Sequence, residues 1–131
     1  MPRTVIGPTG SLPDGSVNPI SPAVRAGDFV FCSGLLPKGD DGQMVDGDIV
    51  AQTTAVMERL SNVLISAGCD FSDIVKCMVW LTDADDFKAF NIVYASYFNE
   101  DPPTRSAVRS DLLLPSARLE LEAICYKPLH T

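Results

Sequence analysis

From Asp48 onward the apolar positions fall into step. Ile49, Thr53, Val56, Met57, Leu60, Val63, Leu64 and Ala67 recur at intervals of three and four, while Gln52, Glu58, Arg59 and Asn62 occupy the other faces. That period predicts an amphipathic helix, with Asp46 or Asp48 as its N-cap and Gly68 as its stop. Before it the pattern is that of strands. Residues 3–6 form a short apolar run, and Ala23-Val24-Arg25 leads through the turn signal Ala26-Gly27-Asp28 into Phe29-Val30-Phe31-Cys32-Ser33, a strand that Gly34 ends. The two prolines of Asn18-Pro19-Ile20-Ser21-Pro22 hold that stretch extended. After the helix, Ile74 to Leu81 reads as a buried strand. A second helix follows, capped by Thr82 or one of Asp83, Asp85 and Asp86, with Phe87, Phe90, Val93, Tyr94, Tyr97 and Phe98 as its apolar positions. Two final strands, about 104–110 and 117–127, complete the order β-β-β-α-β-α-β-β.

This order predicts an α+β fold, one mixed sheet with two helices on one face, formed by a single domain of 131 residues. Along the last strand Leu119, Leu121 and Ala123 face one way and Glu120, Glu122 and Ile124 the other. The sheet's second face would be left uncovered, which predicts a homo-oligomer with ligand clefts between subunits.

Each of the last two strands carries a charge in an apolar setting: Arg105 in Pro103-Thr104-Arg105-Ser106-Ala107-Val108, and Glu120 in Leu119-Glu120-Leu121-Glu122. Pro115 and Ser116 between them mark a turn, so the two segments are expected to pair as a loose hairpin. A half-buried charge needs an answer. An arginine fork answers a carboxylate, from the protein or a ligand, and a glutamate can position or deprotonate a water. Spacing alone leaves two possibilities, a structural Arg–Glu pair and a reactive site.

Composition narrows the field. The net charge of -7 and ten scattered basic residues argue against nucleic acid as a partner. Hydrophobic content of 46% with 21% charged residues suits a soluble globular chain. No run approaches a membrane span, and the first residues lack the apolar block of a signal peptide, so a cytoplasmic address is expected. Cys32, Cys69, Cys77 and Cys125 lack metal or disulfide spacing and read as small core hydrophobes, with Cys32 set apart by its place before Ser33-Gly34. The only histidine, His130, lies in the tail, which disfavours zinc and His-dependent triads. Asp83, Asp85 and Asp86 read as caps and surface. Phe29, Phe31, Trp80, Tyr94 and Phe98 read as core or interface packing, since no basic groove accompanies them.

With these segments in place, the chain resembles the RidA/YjgF family of reactive enamine/imine deaminases. The resemblance runs from Ile20-Ser21-Pro22-Ala23-Val24-Arg25-Ala26-Gly27-Asp28 through Val30-Phe31-Cys32-Ser33-Gly34, Gly47-Asp48-Ile49, Gln52-Thr53 and Asp73-Ile74-Val75-Lys76. It continues in Leu81-Thr82-Asp83, Asp86-Phe87, Asn91, Val93-Tyr94 and Tyr97-Phe98, and closes in Pro103-Thr104-Arg105-Ser106 and Leu119-Glu120-Leu121-Glu122-Ala123. It implies a chorismate-mutase-like fold assembled as a homotrimer, with three sites between protomers and no cofactor or metal. It also implies a hydrolase that converts 2-aminoacrylate or 2-iminopropanoate type substrates to a 2-keto acid and ammonium.

By the same resemblance, Arg105 clamps the substrate carboxylate and Glu120 orients or activates water. Ser33 and Gly34 line the pocket, and the backbone at Ala107 contacts substrate or water. Two positions depart from the family pattern: Ile20 stands where an aromatic, usually tyrosine, is common, and Ala107 where cysteine is. Ile20 keeps an apolar wall without the hydroxyl. That is compatible with a pathway-specific relative such as 2-aminomuconate deaminase. A non-catalytic carboxylate-binding trimer is the alternative of another class, and the ribonuclease activity associated with some relatives fits the acidic balance least. Glu122, on the same strand face as Glu120, is expected to partner an arginine across an interface.

Overall fold

The three- and four-residue steps after Asp48 become α1 (Ile49–Ser66), which lays Val56, Met57, Leu60 and Leu64 into the core. The computed structural model describes residues 2–129, so His130 lies outside the described residues. Asp48 caps α1, its carboxylate accepting the Ala51 N–H at 2.9 Å. Gly68 then turns the chain out of the helix at φ 73°, a conformation that a Cβ would penalise.

Six strands form one sheet: β1 (Thr4–Ile6), β2 (Ala23–Ala26), β3 (Phe29–Leu35), β4 (Ile74–Leu81), β5 (Thr104–Arg109) and β6 (Leu119–Tyr126). Their spatial order is β1-β2-β3-β6-β4-β5, antiparallel throughout except for β4 and β5. The parallel pair requires a crossover. A short 3-10 turn at Ala84–Asp86 and α2 (Phe87–Ala95) provide it, with Asp83 accepting the Asp85 N–H at the start of the turn. Both helices pack on one face, over Val30, Cys32, Cys77, Val79, Leu119, Leu121, Ala123 and Cys125.

Four expectations need correction. The segments holding Arg105 and Glu120 do not form a hairpin, because β4 lies between β5 and β6. Burial explains the placement: alternate residues of β6 are fully buried, which suits a strand paired on both sides, whereas five of the six residues of β5 are exposed, which suits an edge. Gly34 does not end its strand. β3 runs on to Leu35 through a bulge, where Ser33 and Gly34 interrupt the register between Cys32↔Ala123 and Leu35↔Leu121. The second helix ends at Ala95, short of Tyr97 and Phe98. Gln52, set on a polar face by its spacing, is only 2% exposed. It donates to Val45 O and Ser116 O and accepts from the Arg118 N–H, so it brackets the loops on either side of the core.

The face away from the helices carries Phe29, Phe31, Ile124 and Tyr126, with Met78, Trp80 and Glu120 beyond them. Phe31 is 45% exposed and Tyr126 46%, so an aromatic surface stands uncovered on the isolated protomer. Among the described residues no helix is long and apolar enough to cross a membrane.

Candidate active site

Two sets of predicted site residues emerge, on opposite faces of the sheet. Glu120 follows Leu119 in β6, and the alternation that buries Leu119 and Leu121 under the helices sends Glu120 to the open face. Its carboxylate lies against Gly34: a Cβ built there would run into Glu120 Oε2. The β3 bulge and the missing side chain together make room for the acid. Burial raises the Glu120 pKa above its ordinary 4.5, and the neighbouring charge of Glu122 adds to the rise. No Lys or Arg lies within 4.0 Å of that carboxylate among the described residues.

Ser33 joins this set through its backbone and its hydroxyl. Its N–H donates to Pro22 O at 3.0 Å and its Oγ to Ser21 O at 2.6 Å, which ties the proline-rich stretch holding Ile20 to the bulge. Ile20, Ser33 and Gly34 thus line one cavity of about 390 Å³. Ile20 is 53% exposed and gives that cavity an apolar wall.

Arg105 and Ala107 belong to the second set. As alternate residues of β5 they share the helix-side face, since Arg105 is in register with fully buried Cys77. The Arg105 guanidinium carbon lies 4.9 Å from the centre of the Tyr94 ring, 5.5 Å from Phe87 and 5.7 Å from Phe90. Its Nη1 donates to Asn91 Oδ1 at 2.6 Å. Three rings and one amide therefore hold the fork, and no carboxylate lies within 4.0 Å of it among the described residues. Arg105 opens onto a cavity of about 550 Å³ whose lining includes Lys88, Asn91, Tyr94 and Phe98. Ala107 lines a separate cavity of about 200 Å³ with Leu81, Phe87 and Arg109.

A structural Arg105–Glu120 pair within one protomer is therefore excluded. Asn91 and the ring platform are residues whose roles sequence reasoning missed. Phe87, Phe90 and Tyr94 carried only the signal of a helix core face, and nothing local marks such rings as the seat of a cation. The Tyr94 hydroxyl is buried without a hydrogen-bond partner, and burial raises its pKa. All four cysteines are free and buried, as expected of core residues. Burial pushes the Cys77 thiol up to about 11, far from the range of a nucleophile. Cys32 is buried in the core and does not line the cavity. Asp83 caps a turn and Asp86 pairs with Arg118 at 2.9 Å. Among the described residues no group of His, Cys, Asp and Glu is arranged to hold a metal ion.

The comparisons with known proteins agree with one another. The family model described as Endoribonuclease L-PSP matches residues 13–127. The 3-aminoacrylate deaminase RutC of Acinetobacter baylyi is 35% identical over 127 residues, covering 96% of this chain and 99% of that protein. The human 2-iminobutanoate/2-iminopropanoate deaminase is 33% identical over 119 residues, 89% of this chain and 87% of that protein. Among solved structures, that of E. coli TdcF with bound serine has a TM-score of 0.82 at 30% identity, covering 95% of this chain and 98% of that one. The chain belongs to the RidA/YjgF family.

Proposed function

We propose that this protein is a hydrolytic deaminase of short-lived enamines and imines that carry a carboxylate, acting as a homotrimer with its sites between protomers. The observation that carries the proposal is the separation of Arg105 and Glu120. They lie on opposite faces of the sheet with a strand between them, and neither has a counter-charge within 4.0 Å among the described residues. A site that uses both is completed by a neighbour, and the uncovered aromatic face gives protomers a reason to associate. The relatives named as deaminases support the same chemistry.

In this mechanism Arg105 spends one N–H on Asn91 and offers the rest of its fork to the substrate carboxylate. That fixes the adjacent C=N carbon, which is already electrophilic, so positioning supplies much of the catalysis. Glu120 of the facing protomer holds the water and accepts its proton as oxygen bonds to that carbon. A raised pKa suits this task, because a more basic carboxylate takes a proton more readily. The proton returns to nitrogen to give a carbinolamine; its hydroxyl proton then passes to the amino group, C=O forms as the C–N bond breaks, and a 2-keto acid and ammonia leave. Ile20, Ser33 and Gly34 form the wall on the Glu120 side, and the backbone at Ala107 flanks the carboxylate on the Arg105 side. The expected address is the cytoplasm.

The test is to generate the 2-aminoacrylate enamine in situ and to compare wild type with Arg105→Ala and Glu120→Gln. Acceleration by wild type, with about a hundredfold loss or more in each variant, is the expected outcome. A correctly assembled wild type without activity that still binds 2-keto acids would identify a carboxylate-binding trimer instead.

A further inference from the structure

The cavity lined by Ile20, Ser33 and Gly34 extends to two cations that the mechanism above does not use. Arg59 from α1 and Lys38 from the loop after β3 both line it, and both also line an adjoining cavity of about 330 Å³. Arg59 spends one N–H on Leu36 O at 2.8 Å. Neither cation has a carboxylate within 4.0 Å among the described residues.

That is unexpected in a chain with seventeen acidic residues against ten basic ones. The acids nearby are engaged or turned outward: Glu58 accepts from the Tyr97 hydroxyl, Asp41 from the Gln43 N–H, and Asp40, which lines the adjoining cavity, is exposed. Burial works against the Arg59 charge and lowers its pKa. Two partly buried, unanswered cations lining one cavity are best satisfied by an anion from solution.

We propose that Arg59 and Lys38 form a second anion subsite of the same active site, selecting an enamine or imine with a second carboxylate at its far end. The proposal rests on the deaminase reading. Imines of this kind derive from amino acids, whose side-chain anion is a carboxylate, which is why that group and no other is assigned. Ile20, which lines the same cavity as the two cations, fits the scheme: an apolar wall there suits the methylenes that would join two carboxylates, and a tyrosine hydroxyl would meet them with an unpaired donor.

The experiment uses two imines of equal chain length, made in situ from D-glutamate and D-norvaline by a flavin-dependent amino-acid oxidase with catalase present. The quantity read is the ratio of kcat/KM for the dicarboxylate over the monocarboxylate. Wild type is expected to favour the dicarboxylate by about tenfold or more, the worth of one charge-assisted hydrogen bond. Arg59→Gln and Lys38→Gln should each lower that ratio, and Arg59→Lys should retain most of it. A ratio near one in wild type, or one that all three variants leave unchanged, overturns the subsite. Loss of both activities would defeat the deaminase reading alone. Calorimetry with 2-oxoglutarate and 2-oxopentanoate then decides separately: tighter binding of the first, abolished in Arg59→Gln, upholds the subsite, and equal affinities end it.

Discussion

Gly34 occupies a strand interior, where glycine ordinarily costs stability, and its use here is to leave a space the size of a methyl group for a carboxylate. The three atoms nearest a Cβ at this position all belong to the Glu120 side chain, the carboxylate oxygen first, so the acid can swing away. Gly34→Ala should therefore leave thermal stability within about 2 °C of wild type while kcat/KM falls about a hundredfold, because the carboxylate proposed to hold the water is displaced. A large drop in melting temperature would show that the bulge itself needs glycine. The second prediction at this scale concerns pH. Burial and then the Glu122 charge hold the Glu120 carboxyl above its ordinary value, so Glu122→Gln removes the second cause and should move the acid limb of kcat/KM to lower pH. An unmoved limb would mean that Glu120 is not the group that titrates. The stability effect has the opposite sign. A carboxyl whose pKa is raised on folding stabilises the fold below the ordinary glutamate range, and that contribution is lost as pH rises through the raised value.

Elements with a strong period were legible in the sequence, and those placed by pairing were not. α1 and β4 follow their apolar spacing almost to the residue, because a helix stripe and a buried run are local properties. The positions of β5 and β6 depend on which neighbours each strand chooses, and the prolines and polar residues between them suit a tight hairpin and a longer excursion equally well. The site was half legible for the same reason. Arg105 and Glu120 stood out as charges in apolar strands, but the face each one points to follows from the sheet order. Gln52 shows the other limit: a polar side chain on a helix looks solvated until the carbonyls it meets, 7 and 64 residues away, are in place. Replacing it with leucine keeps the bulk and leaves three part-buried backbone groups, at Val45, Ser116 and Arg118, without that partner. Gln52→Leu should cost about 3 kcal/mol in urea unfolding. A cost under about 1 kcal/mol would mean that water reaches those groups.

At the scale of the whole molecule the two-faced arrangement makes a prediction that no single protomer can fulfil. If Arg105 of one protomer and Glu120 of the next share a site, co-refolding Arg105→Ala with Glu120→Gln rebuilds intact sites from two inactive chains. Random mixing should restore about a quarter of wild-type activity. No recovery from mixed trimers would place both residues in a site closed within one chain. The strand order has a further consequence, for how the protein is made. β6 lies between β3 and β4, yet it follows the other five strands in chain order. Until it leaves the ribosome, the nascent polypeptide holds a three-strand piece and a two-strand piece, each with an open edge where β6 belongs. Closing that gap is a late, long-range step, the kind that slows folding and invites a chaperone. Glu120 arrives on the same strand, so under the proposed mechanism the polypeptide acquires its reactive acid only in the act of completing its sheet.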